Sequence, residues 1–221
     1  MKNHGLIFDM DNTILDTHID FGKMHRKTAE AAAVICRQKL KLPPADFSGM
    51  ATGQIIQWGA DNNFSAEDIA MLWEQVADIE AEGMRNIVKE DGIDRALSLL
   101  QAEGYYMTVL TNNSLKAAGL AMENSGLAKY FREIHARDEY RELKPSPKGL
   151  LSIMENNSQI KQWLMIGDSW LDGEAAKRAS IPFAAYGKRD SSYWQSYNLT
   201  PQLWLKKWDE KVLPAIKNLL V

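Results

Sequence analysis

The sequence is poor in the features that mark secreted and membrane-spanning proteins. Its 221 residues include one cysteine, Cys36, which excludes an internal disulfide and favours a reducing compartment. No run approaches the roughly 18 apolar residues of a membrane span, and the amino terminus lacks the charged and apolar regions of a signal peptide. These absences predict a cytoplasmic protein that does not bind membranes.

Neither sign of charge is in clear excess, and the sequence has no basic stripe, internal repeat or low-complexity segment. Its 26 Lys and Arg residues stand against 29 Asp and Glu residues, which gives a net charge of −3. Such a balance provides no broad attraction for a polyanion, so we do not expect nucleic acid as a partner. Cys36 follows Ala33, Val34 and Ile35, and we expect it to fill an apolar core rather than to act as a nucleophile.

Short apolar runs alternate with amphipathic stretches over most of the chain. The runs predict strands at Leu6–Phe8, Tyr105–Leu110, Phe131–Ala136, Trp163–Ile166 and Ile181–Tyr186. Strands separated by helices indicate a doubly wound parallel sheet, hence an α/β fold, with any ligand outside the carboxyl ends of the strands. The tail from Asp190 to Val221 contains Trp194, Trp204 and Trp208, which we interpret as packing residues, and a helix over Glu210–Leu220.

Residues 17–88 break this alternation and contain no clear strand. They predict a helix over Lys23–Leu40 that ends at Pro43 and Pro44, a short helix broken by Gly59–Asn63, and a further helix with Ser65 as its N-cap. We therefore predict a smaller all-α domain over residues 17–88, inserted after the first strand of an α/β catalytic core formed by residues 1–16 and 89–221.

Polar side chains follow three of the predicted strands, at the edge where a ligand is expected. The set comprises Asp9, Asp11, Thr111, Asn112, Asp168 and Asp172, together with Lys144 in an adjoining loop. Unit charges about 4 Å apart repel by about 4 kcal/mol at an effective dielectric constant of about 20, so four carboxylates in one crevice require a cation. Because no histidine or cysteine accompanies these oxygen ligands, Mg²⁺ is favoured over Zn²⁺.

Groups that bind anions accompany the carboxylates. Lys144 supplies a compact positive charge, and Thr111 and Asn112 supply a hydroxyl and an amide at a helix amino terminus. Carboxylates that hold a metal, next to donors that hold an oxyanion, are typical of a site for a phosphoryl group.

Four motifs in order resemble the haloacid-dehalogenase-type (HAD-like) hydrolase superfamily. They are Asp9-x-Asp11-x-Thr13, Thr111-Asn112, Lys144-Pro145 and Gly167-Asp168-Ser169-x-x-Asp172. The likeness is greatest to the phosphoglycolate-phosphatase-like branch, which inserts a helical cap after the first strand of a Rossmann-like core. It implies a Mg²⁺-dependent phosphatase, a phosphoric monoester hydrolase acting through an aspartyl phosphate.

The resemblance also implies roles for individual residues. Asp9 would be the nucleophile, and Asp11 would protonate the leaving oxygen and then activate water. Mg²⁺ would be bound by Asp9, Asp168 and the backbone carbonyl of Asp11, with Asp172 orienting its water shell or Lys144. The transferring phosphate would be held by Lys144, Thr111 and the neighbouring amide of Asn112.

Two other functions remain open at this stage. Dehalogenases and phosphonate-cleaving members of the superfamily lack an acid at the position of Asp11, so an oxygen leaving group is favoured. A phosphomutase of the β-phosphoglucomutase type is the nearest alternative, although such enzymes usually carry an Arg and a Ser in the cap loop, where this chain has Thr52 and Ile55. A catalytically silent ligand-binding member would be expected to lack Asp9, Asp11 or Lys144.

We expect the substrate to be a small phosphorylated metabolite, either phosphoglycolate-like or a sugar phosphate. We expect the protein to be a monomer or a homodimer.

Overall fold

The computed structural model describes residues 3–41, 46–140 and 142–220, so Pro43 and Pro44, the predicted end of the first helix, lie outside the described residues. The chain forms two compact units. One comprises Met1–Thr17 and Ile87–Val221, and the other comprises His18–Asn86. Among the described residues, no helix combines the length and the apolar character needed to cross a bilayer.

The larger unit contains a six-stranded parallel sheet, which confirms the predicted α/β fold. The strands of the chain are β1 His4–Phe8, β2 Leu15–Asp16, β3 Val88–Lys89, β4 Tyr106–Leu110, β5 Ile134–His135, β6 Gln162–Gly167, β7 Phe183–Tyr186 and β8 Leu203–Leu205. The order in the sheet is β5-β4-β1-β6-β7-β8, and every neighbouring pair is parallel. β1 lies between β4 and β6, where the strand order changes direction, which is the position that creates a crevice in such sheets.

Helices connect these strands. In the larger unit they are α4 Ile93–Ala102, α5 Leu115–Asn124, α6 Lys148–Asn156, α7 Trp170–Arg178, α8 Ser191–Ser196 and α9 Val212–Leu219. In the smaller unit they are α1 Phe21–Ile35, α2 Thr52–Asp61 and α3 Ala66–Gly83. Leu6, Ile7 and Phe8 of β1 are fully buried, as expected for a central strand covered on both faces.

Some short elements were not predicted. β8 and α8 lie in the tail, and β2 pairs with β3 in an antiparallel ladder that joins Leu15 to Lys89 and Asp16 to Val88. The prediction that residues 17–88 contain no strand is therefore wrong at Val88. A ladder of two residues per strand is too short to produce a periodic pattern in the sequence.

The smaller unit has its own apolar core, in which Cys36 is fully buried as predicted. α1 continues into a π-helical segment, Cys36–Leu40. Ser65 caps α3 as predicted, because its hydroxyl accepts a hydrogen bond from the amide of Asp68 at 3.1 Å. The predicted break over residues 59–63 is confirmed, since α2 runs through Gly59 and ends at Asp61. A Cβ atom at Gly59 would lie 2.5 Å from Cδ2 of Phe64, so this glycine makes room for an aromatic ring.

The tail packs on the sheet and on the loop that follows β1. Trp194 and Trp208 are buried, whereas Trp204 is 43% exposed. The Trp208 indole stacks on Tyr186 with 4.9 Å between the ring centroids, and its Nε1 donates to the carbonyl oxygen of Thr13 at 2.8 Å. Two of the three tryptophans are thus core residues, as predicted, while Trp204 is partly exposed.

Candidate active site

The ammonium group of Lys144 lies at the centre of the predicted site. Its Nζ donates to Asp9 Oδ1 at 2.6 Å, to Asp172 Oδ1 at 2.7 Å and to the carbonyl oxygen of Leu110 at 2.9 Å. Burial of the side chain acts to lower its pKa, but the carboxylates of Asp172 and Asp9 outweigh burial and raise the pKa. Lys144 is therefore a fixed positive charge that joins the ends of β1 and β4 to helix α7.

Three carboxylates converge beside this ammonium group. Asp9, Asp168 and Asp172, called the carboxylate cluster below, each offer one oxygen within 4.8 Å of the others. Burial and the neighbouring Asp172 raise the pKa of Asp9 well above its ordinary value, while Lys144 opposes the change. The same two causes raise the pKa of Asp168 to about 7.

The chemistry of this donor set fits a small divalent cation. Three acids surround one lysine, so the formal negative charge of the side chains exceeds the positive charge. Carboxylate oxygens are the ligands that Mg²⁺ prefers, and a cation there would lower the pKa values that burial and mutual repulsion raise.

Asp172 is held in place from two sides. Its Oδ2 accepts hydrogen bonds from the Ser169 hydroxyl at 2.7 Å and from the Ser169 amide at 3.1 Å, while Oδ1 faces Lys144. A Cβ atom at Gly167 would lie 2.5 Å from Cγ of Asp172, so only glycine leaves room for this carboxylate. With both oxygens engaged, Asp172 is well suited to orient Lys144.

The carboxylate of Asp11 has hydrogen-bond partners outside the carboxylate cluster. Its Oδ1 accepts from the hydroxyl of Thr17 and its Oδ2 accepts from the side-chain amide of Asn113, each at 2.6 Å. Burial raises the pKa of Asp11, and these two hydrogen bonds partly oppose the change. Because both carboxylate oxygens of Asp11 have other partners, the predicted contact of this residue with a metal stays a prediction for its backbone carbonyl.

Thr111 and Asn112 occupy different environments after β4. The Thr111 hydroxyl is buried and accepts from the amide of Asn113 at 3.2 Å. The Asn112 side chain pairs with the backbone of Lys144, accepting from its amide and donating to its carbonyl, both at 3.0 Å. The side-chain amide of Asn112 is therefore used to position Lys144, which leaves the backbone of this residue for any contact with a ligand.

Sequence reasoning assigned no role to four side chains that contact these acids. Asn113 and Thr17 hold Asp11, Thr13 Oγ1 donates to Asp9 Oδ2 at 3.2 Å, and Arg189 Nη2 lies 3.5 Å from Asp168 Oδ2. Asn113 and Thr13 belong to polar segments that the sequence does mark. Thr17 and Arg189 carry no such signal, because tertiary folding alone brings them to the site.

The protein-family model described as haloacid dehalogenase-like hydrolase matches residues 6–186. The matched segment runs from β1 to the end of β7 and contains the whole carboxylate cluster. The chain belongs to this family. The family thus identified by resemblance is confirmed, as is the class of enzyme, a hydrolase of the phosphatase type.

Curated relatives agree with this assignment, and a solved structure shares the fold. The chain is 26% identical over 189 residues to a phosphoglycolate phosphatase of Agrobacterium fabrum, covering 80% of this chain and 77% of that one. It is 25% identical over 178 residues to pyrophosphatase PpaX of Listeria innocua, covering 79% and 78%. The crystal structure of a hydrolase from Pseudomonas syringae shares the fold with a TM-score of 0.69 at 18% identity, covering 98% of this chain and 99% of that one.

Proposed function

We propose that this haloacid dehalogenase-like hydrolase is a Mg²⁺-dependent phosphatase that hydrolyses a small phosphomonoester through an aspartyl phosphate on Asp9. The contact between Asp9 and Lys144 at 2.6 Å supports the proposal most directly. It pairs the carboxylate expected to attack with a buried cation that can stabilise the charge developing on a phosphoryl group.

Each residue of the site has a chemical task in this reaction. A carboxylate oxygen of Asp9 forms a bond to phosphorus as the bond from phosphorus to the leaving oxygen breaks. Asp11, whose raised pKa favours the protonated form, gives its proton to that oxygen. The Asp11 carboxylate then takes a proton from the attacking water, the bond from Asp9 to phosphorus breaks, and inorganic phosphate leaves.

Mg²⁺ would be held by the carboxylates of Asp9 and Asp168 and by the backbone carbonyl of Asp11, with Asp172 beside Asp9 and Asp168. When bound, it would supply positive charge that offsets the phosphoryl oxygens and the acids. Lys144 and the hydroxyl of Thr111 would orient the phosphoryl group from the side of β4. Thr17 and Asn113 would keep Asp11 directed towards the leaving oxygen.

The first test measures phosphate release from p-nitrophenyl phosphate with Mg²⁺. We expect turnover by the wild-type protein and a loss of at least about 10³-fold in Asp9→Asn, because the nucleophile is removed. Asp91→Asn, a change at an exposed aspartate outside the site, is the matched control and should retain activity. Phosphate release that survives in Asp9→Asn would refute an aspartyl phosphate at this residue.

The second test identifies the substrate class with a panel of phosphoglycolate, sugar phosphates and pyrophosphate. Relatives named phosphoglycolate phosphatase and pyrophosphatase PpaX make both ester and anhydride substrates necessary in the panel. We propose phosphoglycolate-like acids and sugar phosphates as substrates. Interconversion of sugar phosphates that needs a bisphosphate activator, without net release of phosphate, would instead identify a phosphomutase.

A further inference from the structure

A second group of cations lies beyond the carboxylate cluster, at the same edge of the sheet. Lys188, Arg189 and Lys206 line a cavity of about 470 Å³ together with the partly exposed Trp204, and these four residues are called the basic groove below. The volume is within the usual range of small-molecule sites. All four residues belong to the larger unit.

The sheet itself brings the two lysines together. β7 and β8 are parallel neighbours, and the amide of Gly187 donates to the carbonyl oxygen of Leu205 at 2.9 Å. Lys188 follows Gly187 and Lys206 follows Leu205, so the two lysines lie next to each other at the ends of adjacent strands. Gly187 has φ of +91°, a conformation that glycine adopts without strain and that turns the chain at this point.

The charges of the groove are only partly neutralised. Within residues 3–41, 46–140 and 142–220, neither Lys188 nor Lys206 forms an ion pair, and both are exposed. Asp190 also lines the cavity, but its Oδ1 accepts from the Tyr193 amide at 3.1 Å and from the Ser192 hydroxyl at 2.7 Å. Three cations against two carboxylates, Asp190 and the Asp168 partner of Arg189, leave a local excess of positive charge in a protein of net charge −3.

Arg189 and Trp204 add planar groups to the basic groove. The Arg189 guanidinium lies 4.2 Å from the centroid of the Tyr193 ring, and its Nη2 lies 3.5 Å from Asp168 Oδ2, so it is held between an aromatic ring and the carboxylate cluster. Trp204 lies on the edge strand β8 and contacts Trp194 with 6.4 Å between the ring centroids, leaving 43% of its surface open. Exposed indole rings stack on planar ligands, and lysines bind phosphate groups.

We propose that the basic groove binds a phosphorylated ligand with a planar aromatic ring, which is the chemistry of a nucleotide. The ring would stack on Trp204, and the phosphate groups would contact Lys188 and Lys206. This inference does not depend on the proposed reaction at Asp9, because it requires binding alone. The contact between Arg189 and Asp168 makes the groove a direct neighbour of the carboxylate cluster.

Calorimetric titration with ADP in EDTA tests this proposal without metal and without turnover. We expect saturable binding at one site, weaker binding of pyrophosphate and adenosine, and loss of affinity as salt is added. The double variant Lys188→Gln/Lys206→Gln should weaken ADP binding by about 5-fold or more, and Trp204→Ala should weaken it by a similar factor. Lys207→Gln is the matched control, since Lys207 is exposed, pairs with Asp209 at 3.8 Å and does not line the groove.

Three results would overturn the proposal. One is an absence of ADP binding, or binding that is unchanged in both groove variants. Another is pyrophosphate binding as tight as ADP binding, which would mean that the ring is not recognised. The third is binding that disappears in Asp9→Asn while the groove variants still bind, which would assign ADP to the carboxylate cluster. Because the readout is binding in EDTA, failure here is distinct from failure of the phosphatase assay.

Discussion

Lys144 is the residue on which the carboxylate cluster depends for its charge balance. It contacts two of the three acids, and all four side chains lie in a site that excludes most water. Removing one partner of a buried ion pair leaves the other charge unpaired, which costs more than the pair contributes when intact. Folding and the proposed chemistry therefore both require the same ammonium group.

For Lys144→Met we expect a fall in the free energy of unfolding of about 3 to 5 kcal/mol in EDTA. Urea denaturation followed by circular dichroism measures it. Lys148→Met is the matched control, because Lys148 is exposed and pairs with Glu142 at the surface, where such pairs contribute about 0 to 1 kcal/mol. Equal stability losses in the two variants would contradict a special role for the buried lysine.

Asn113 controls the acid proposed to protonate the leaving group. Its amide stabilises the carboxylate form of Asp11, so Asn113→Ala should raise the pKa of Asp11 further. Because the proposed first step needs the protonated acid, the alkaline limb of kcat/KM should move to higher pH. We expect kcat to fall by about 10- to 100-fold, since Asp11 loses one of the contacts that orient it.

The pH profile of phosphate release between about pH 5 and pH 10 measures this effect of Asn113→Ala. Asn124→Ala, at the exposed end of α5, should leave both kcat and the alkaline limb unchanged. If Asn113→Ala folds normally and its alkaline limb of kcat/KM does not move, Asp11 is not the acid whose pKa sets that limb.

At the scale of a helix, the glycines of α2 and α5 have different surroundings. Gly59 lies in α2 against Phe64, whereas a Cβ atom added at Gly119 in α5 would meet no neighbouring atom within 4 Å. Alanine favours a helix over glycine by about 1 kcal/mol when nothing else changes. The surroundings decide whether that gain appears.

We therefore expect Gly119→Ala to raise the thermal midpoint and Gly59→Ala to lower it. The added methyl group at Gly59 would lie 2.5 Å from a ring carbon of Phe64, and overpacking of this kind costs about 1 to 3 kcal/mol. Differential scanning calorimetry of the two variants beside the wild-type protein compares them directly. Stabilisation by both substitutions would show that Phe64 moves aside without cost.

At the scale of the whole molecule, metal binding and stability are linked through the carboxylate cluster. Asp168 has a folded pKa of about 7, well above the value of about 3.9 for an unfolded aspartate. The folded state therefore holds its proton more tightly, and the stability of the metal-free protein should decrease as pH rises from about 4 to about 7.

At about pH 7.5, Mg²⁺ should restore the stability that the metal-free protein loses as pH rises. A ligand at about 100 times its Kd stabilises the folded state by about 2.7 kcal/mol, so the thermal midpoint should rise with Mg²⁺ concentration and fall again in EDTA. Asp168→Asn should abolish the rise, and Asp94→Asn, outside the site and paired with Lys89, should retain it. A rise of the same size in Asp168→Asn would place the metal elsewhere.

Individual elements show which features of the fold could be predicted from sequence patterns. The apolar runs predicted β1, β4 and β6 within one or two residues, because strands buried on both faces need continuous apolar sequence. Ser65 predicted the start of α3, since a cap acts through its nearest neighbours. By contrast, β8 has only three residues and a half-exposed pattern, and the contact of Gly59 with Phe64 depends on how the turn after α2 folds.

The sequence by itself determined the α/β fold and the set of acids with Lys144, because these follow from local periodicity and from residue types at strand ends. The family was identified from the resemblance of four motifs. Only the tertiary structure decided how those residues divide their tasks. It directs Asp11 to Thr17 and Asn113, uses Asn112 to hold the backbone of Lys144, and brings Arg189 to Asp168. The physical reason is that hydrogen bonds and charge pairs act over a few ångströms in space, between residues whose separation along the chain carries no pattern.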